Sequence, residues 1–216
     1  MEQDKNLLNI KKSVSIKPLK SGGSNFKTHI LVKKKTGVLE FVPSMGLIAF
    51  LSVFFIIGSG FLVFAIYKLF FSQDYSFEFS HLIFGLIPIV FLIFSLLMGY
   101  ENFKPNQFNK LTNRYIKGTK RDIIKKNTID IPLSKIIAIQ LIGEVVTGND
   151  SSYNSFELNI VMDDGKRFNV IDQGNLKSLI RDAKWLSEFL NVPIWHAESS
   201  NALTNKRKTT LLQLFL

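Results

Sequence analysis

Met45 to Tyr67 reads MGLIAFLSVFFIIGSGFLVFAIY, 23 residues without a charge. As a helix this is about 34 Å long, enough to cross a hydrocarbon core of about 30 Å. Leu82 to Tyr100, LIFGLIPIVFLIFSLLMGY, adds 19 uncharged residues, about 28 Å by the same rise. Together they predict a two-span α-helical hairpin over residues 45–100. Pro88 falls inside the second span, where a bilayer helix tolerates it as a mild kink. Gly58, Ser59 and Gly60 in the first span, and Gly85 in the second, are small enough for close helix approach. They form no repeated small-xxx-small pair.

The rest of the composition follows from this segment. Residues 45–100 hold 12 of the 20 Phe in a chain of 216 residues, and only three charges, Lys68, Asp74 and Glu78. The mean hydropathy of +0.17 thus averages an apolar segment with two polar flanks. The flanks carry the formal charge of +10: residues 1–44 and 101–126 each hold a net +6. Residues 127–205 hold −4, and the last eleven residues +3. The connecting loop, Ser72 to His81, has two acids and no Lys or Arg. Positively charged flanks stay cytoplasmic, so both termini are expected in the cytosol and the acidic loop outside. The first apolar run begins too far along and is too long for a cleaved signal peptide. With no cysteine, a disulfide framework, a thiolate metal site and a thiol nucleophile are excluded.

Outside the membrane the chain reads as four regions. Residues 1–25 are polar, Lys-rich and end near Ser21-Gly22-Gly23-Ser24, the composition of a flexible basic arm. Residues 26–44 alternate around a basic turn, Lys33 to Gly37, and predict a β-hairpin beside the membrane. A lone hairpin is marginal in water, so it is expected to dock on the domain formed by residues 101–196. Residues 197–216 join a Lys206-Arg207-Lys208 cluster to five apolar residues. That tail reads either as a segment lying on an anionic membrane or as a frayed end or packed strand.

Within 101–196, Glu101 to Asn109 reads as a connector. Strands follow at Thr112 to Lys117, Ile123 to Ile131 and Ile136 to Val146, the last bending at Gly143. A hairpin over Phe156 to Asp172 turns at Asp163-Asp164-Gly165. A three-residue loop pairs Ile160 with Phe168, Asn159 with Asn169 and Leu158 with Val170, and separates an apolar face from a polar one. Asn175 caps a helix from Leu176 to about Leu190, with Leu176, Leu179, Ile180, Ala183, Leu186 and Leu190 as its apolar stripe. The predicted fold is a membrane α-helical hairpin plus a cytosolic α+β domain: an antiparallel sheet or partial barrel closed by one C-terminal helix.

That order resembles the pleckstrin-homology-like (PH-like) architecture of bacterial membrane-associated domains. The stretches IPLSKIIAIQLIGE (131–144), FELNIVMDDGKRFNVIDQGN (156–175) and DAKWLSEFLNVPIW (182–195) also resemble an uncharacterised family of two-span bacterial membrane proteins. The resemblance implies a fold and a location, with no catalytic or ligand residues to carry over.

The residues offer little chemistry. His29, His81 and His196 share no metal-ligand spacing, and no phosphate loop or nucleophile elbow occurs. Asp163 and Asp164 are turn residues, Asp172 and Asn175 flank a helix start, and Glu157 and Arg167 suit cross-strand pairing. The expectation is a non-enzymatic protein without cofactor or metal. Lys117, Lys120, Arg121, Lys125 and Lys126 form a juxtamembrane basic cluster, a candidate for anionic lipid head groups. No aromatic platform interleaves it, so nucleic acid is not expected. Trp185 and Trp195 read as core or rim residues, and as exposed aromatics beside Pro193 they would be the candidate partner surface. The function expected is protein or anionic-lipid binding at the inner membrane. The alternatives are an immunity protein that neutralises a toxin at the membrane, or an accessory subunit of a transporter or envelope complex.

Overall fold

In the computed structural model, which describes residues 2–71, 79–119, 128–148 and 151–198, the chain divides into two units. Pro43–Lys104 forms one, and Met1–Val42 with Pro105–Leu216 the other.

The first unit is a helical hairpin, α2 (Met45–Phe71) and α3 (Phe79–Asn102). Both are apolar and long enough to span a membrane, and they leave large side chains such as Ile56, Val63 and Leu97 exposed. Where they meet, Phe54 packs edge-on against Phe91 and Phe94, with centroids at 5.6 and 5.0 Å. Of the small residues, Gly58 makes the close approach: a Cβ there would lie 2.9 Å from the Pro88 carbonyl oxygen. Around Gly60 and Gly85 a Cβ would meet nothing within 4 Å. The acidic loop between the helices, with Asp74 and Glu78, lies outside the described residues.

The second unit begins with α1 (Glu2–Ser13), then β1 (His29–Lys35) and β2 (Val38–Pro43), the predicted hairpin, turning at Gly37 with φ 75°. It docks as expected, on a strand that the sequence does not announce. β3 (Asn106–Asn109) replaces part of the predicted connector and pairs antiparallel with β2, Leu39 opposite Phe108. Its four residues, Asn-Gln-Phe-Asn, hold one apolar side chain and so show no strand pattern, although alternate residues are buried. β4 (Arg114–Lys117) and β5 (Ile129–Pro132) complete a five-stranded sheet in the order β1-β2-β3-β4-β5. Thr112 and Asn113 belong to the β3–β4 turn, with Asn113 at φ 53°. Residues 120–127, including the start of the predicted strand from Ile123, lie outside the described residues.

A single 3-10 turn (Leu133–Lys135) carries the chain into a second sheet. This sheet has the order β8-β7-β6-β9, from β6 (Ile136–Thr147), β7 (Ser152–Met162), β8 (Arg167–Gln173) and β9 (Ile194–Glu198). β6 is one strand, paired with β7 through Gly143, and its irregularity falls between Ile136 and Ala138. Helix α4 (Leu176–Leu190) has the predicted bounds, and the Asn175 side chain accepts a hydrogen bond from the Ser178 N–H. The chain does not end its regular structure there. β9 returns parallel to β6, Trp195 opposite Gln140. No barrel closes among the described residues; the two sheets remain separate.

The β7–β8 register follows the predicted three-residue loop at first. Ile160 faces Phe168 and Asn159 faces Asn169, with Gly165 at φ 78°. Then Leu158 pairs with Ile171 rather than Val170, because β8 bulges at Val170. The bulge lets both Val170 and Ile171 be buried.

One face of the β6–β8 sheet carries Ile139, Leu141, Phe156, Leu158 and Ile160. They share a core with Leu39, Phe41, Phe108 and Tyr115 of the first sheet and Leu179, Ala183 and Leu186 of α4. The opposite face carries Ala138, Val161 and Trp195, packed with Val14 and, from α1, Leu7 and Ile10. Residues 1–25 are read from composition as a flexible arm. In the structure residues 2–13 are a helix and those after it a strap, and among the described residues these two cover that second sheet face.

Candidate functional site

The bulge explains what becomes of Lys117. A β-bulge frees ladder groups, and here the Asn169 and Val170 carbonyls are the freed acceptors. The Lys117 ammonium donates to both at 2.9 Å, and Asn106 Nδ2 donates to the Val170 carbonyl at 2.8 Å. Asn106 Oδ1 in turn accepts from the fully buried Tyr115 hydroxyl at 3.0 Å. Three side chains of the first sheet thus satisfy a defect in the second. Burial holds the Lys117 ammonium down to about 8, and it pushes the Tyr115 phenol up. Lys117 is spent on internal bonds, whereas Lys120, Arg121, Lys125 and Lys126 lie outside the described residues, as does the tail from residue 199. The basic cluster of the sequence is not brought together as one described surface.

Lys117 also belongs to an ionic group on the strap side of β7 and β8. Glu157 is buried, and its carboxylate accepts from the Leu19 N–H (2.8 and 3.1 Å) and from Asn169 Nδ2 (3.1 Å). The same Asn169 nitrogen donates to Asp172 Oδ1 at 3.1 Å. Burial raises the Asp172 carboxyl to about 6, Glu157 adds to the rise, and Lys20, Asn169 and Lys117 oppose it.

A pH prediction follows. An acid whose pKa is higher folded than unfolded keeps a proton that the unfolded chain gives up, so stability falls as pH rises between about 4 and 6. Lys117 is the reverse case: its lowered pKa makes stability rise with pH from about 8 to about 10.5. Both penalties are therefore present near pH 7. Asp172→Asn is expected to raise stability there by about 1–3 kcal/mol and to change little at pH 4. Urea midpoints of the full chain in detergent at the two pH values check this; an equal shift at both would rule out the assigned cause.

The two tryptophans separate. Trp195 is buried beneath α1, with the Lys11 ammonium 6.0 Å from its ring centroid. Its burial depends on β9, whose partner strand lies some fifty residues upstream in sequence. Trp185 is 37% exposed, one turn before Phe189 on α4. Lys110, in the β3–β4 turn, lies over the Phe189 ring at 4.7 Å. The Lys110 N–H donates to the Gly37 carbonyl at 2.8 Å, which ties this turn to the β1–β2 turn. Lys33, Lys34 and Lys35 are exposed there, and Leu111 is 68% exposed beside Gly37. Lys34 lies 3.7 Å from Glu40.

Two turns and one helix end thus gather cations around apolar and aromatic side chains. Composition shows each lysine run, but only the β2–β3 pairing brings Lys33–Lys35 and Lys110 to the same edge. Among the described residues no group of three or more His, Cys, Asp or Glu is placed to hold a metal ion. Compared with family models, curated proteins and solved structures, the chain shows no match.

Proposed function

We infer that this is a two-pass protein of the bacterial inner membrane, both termini cytosolic, which presents a non-enzymatic PH-like domain to bind a protein or anionic lipid. The pairing of β2 with β3 carries the reading. β2 leads directly into α2, β3 follows α3 by a few residues, and the two strands are hydrogen-bonded neighbours. Chain segments that pair in one sheet occupy the same aqueous compartment, which supports a topology with both ends of the apolar helix pair on one side. The excess of Lys and Arg on both flanks names that side as the cytosol. A periplasm-only reporter fused to either terminus is expected to be inactive; activity at either one overturns the topology.

The binding reading is supported by the edge formed by Lys33–Lys35, Lys110, Leu111, Trp185 and Phe189, where cations border an exposed aromatic and aliphatic surface. Aromatic rings are enriched at recognition surfaces, whose rims are polar, and a cluster of lysines adds steering toward an anionic partner. A photo-crosslinking residue in place of Leu111 or Trp185 is expected to give a discrete protein or phospholipid adduct in cells. The adduct should fall at least several-fold when Lys33, Lys34, Lys35 and Lys110 are changed to alanine, by the loss of charge steering. An adduct pattern no different from that of a crosslinker at exposed Lys177 would sink the reading.

A further inference from the structure

Residues 14–26 cross β6, β7 and β8; the Val14 side chain packs into the sheet face, and from Ser15 onward the sheet holds the strap almost wholly by its main chain. The Ser15 carbonyl accepts from Gln140 Nε2 (3.0 Å), the Lys17 carbonyl from Arg167 (2.9 Å) and the Gly23 carbonyl from the Tyr153 hydroxyl (2.9 Å). The Leu19 N–H donates to Glu157, and the Phe26 carbonyl accepts from the Gly174 N–H (2.9 Å). Meanwhile the large side chains of this strap, Ile16, Leu19 and Phe26, are 53, 42 and 40% exposed. A surface that reads backbone and leaves side chains outside places little demand on sequence; it suits an extended segment as such.

The strap fits this surface incompletely. Asn159 stands on the strap face of β7, two residues from Glu157 and between Gln140 of β6 and Asn169 of β8. It is fully buried, and neither its amide nitrogen nor its oxygen has a hydrogen-bond partner. Such a group carries its full desolvation cost. Between the anchor points at Lys17 and Leu19 the strap has Pro18, which has no N–H to give. The strap of a second copy would bring the same proline, so exchange between two copies leaves Asn159 as it is. A different segment need not. On this side of the sheet Glu144, Glu157 and Asp172 outnumber the cations Lys117 and Arg167, and the strap answers them with Lys17 and Lys20, which favours a basic occupant.

We propose that residues 14–26 are a removable occupant of a backbone-reading groove. In their place the groove takes an extended, lysine-bearing segment of a partner protein, whose main chain pairs with Asn159. Displacing the strap would free this site independently of the basic edge at the β1–β2 turn.

The test uses the full chain in detergent and a fluorescent peptide of sequence 14–23, which stops short of the Gly174 contact, with alanine for Pro18. Leu19→Pro removes the N–H that Glu157 holds, at an exposed strap position. Gly174→Ala places a Cβ onto the Asn25 main chain and loosens the far end of the strap without touching Glu157. Leu19→Pro is expected to bind the peptide roughly ten-fold or more tightly than the parent, the size of one charge-assisted hydrogen bond, and Gly174→Ala, which disturbs only the neutral Gly174–Phe26 bond, several-fold more tightly. Amide exchange over residues 14–26 should rise in parallel. Adding Asn159→Leu should cancel the gain while raising the melting temperature of the parent. A peptide N-methylated at the Leu19 position should bind no better than background. No gain in either variant, full gain with Asn159→Leu, equal binding of the N-methylated peptide, or dimers that exchange straps and ignore the peptide would each overturn the proposal.

Discussion

Replacing Phe108 with alanine is expected to lower the unfolding free energy of the two-sheet unit by about 3–5 kcal/mol, the range for a buried Phe→Ala change. The ring is fully buried. It stacks on Tyr115 with centroids 4.3 Å apart and meets Phe41 edge-on at 6.5 Å. It therefore links β2, β3 and β4 at the strand that joins the hairpin to the rest of the sheet. Removing it leaves a cavity beside Tyr115, whose hydroxyl orients Asn106 toward the Val170 carbonyl. The loss should thus reach the second sheet through the seam at the bulge. Urea unfolding of the full chain in detergent, followed through the fluorescence of buried Trp195, measures it. Leu111→Ala, two residues past the strand, is exposed and should stay within about 0.5 kcal/mol of the parent. A Phe108→Ala shift no larger than that would show that the ring does not hold the sheet together.

Gly58→Leu is expected to push α2 and α3 apart, at a cost of about 1–3 kcal/mol for overpacking. A Cβ at this position would lie 2.9 Å from the Pro88 carbonyl oxygen and 3.2 Å from the Leu92 nitrogen. These are backbone atoms of the facing helix, which no rotamer change can move aside. In a bilayer, where lipid tails are as apolar as leucine, helix association depends on close packing of this kind. The chain has no cysteine, so Phe54→Cys with Phe94→Cys supplies a single thiol pair for crosslinking. Gly58→Leu should lower the crosslinked fraction several-fold, whereas Gly60→Leu, at a position with nothing within 4 Å, should not. Equal crosslinking in both would remove Gly58 as the contact point.

The elements readable from the chain alone are those whose signal lies within a few residues. The uncharged runs at Met45 and Leu82 form helices long and apolar enough to cross a bilayer, and a helix satisfies its own backbone wherever it lies. Helix α4 starts at an Asn175 cap and shows a 3.6-residue stripe. The turn at Gly165 needs a positive φ that glycine adopts freely. None of these depends on a distant partner.

The candidate surfaces do depend on distant partners. Lys117 reads as a surface cation until a bulge on β8, more than fifty residues later, leaves two carbonyls that need it. Trp195 reads equally as core or rim until β9 inserts beside β6 and α1 covers that face. The strap reads as a linker because its hold on the sheet is through main-chain groups, which every residue carries and no composition reveals. The sequence by itself determined the apolar helical hairpin, the capped helix and the tight turns, since local hydropathy and backbone preference specify them. Only the tertiary structure decided which charges are buried, which tryptophan is exposed and what lies beneath the N-terminal segment. Those outcomes are set by pairings between residues far apart in the chain, whose energies no local pattern encodes.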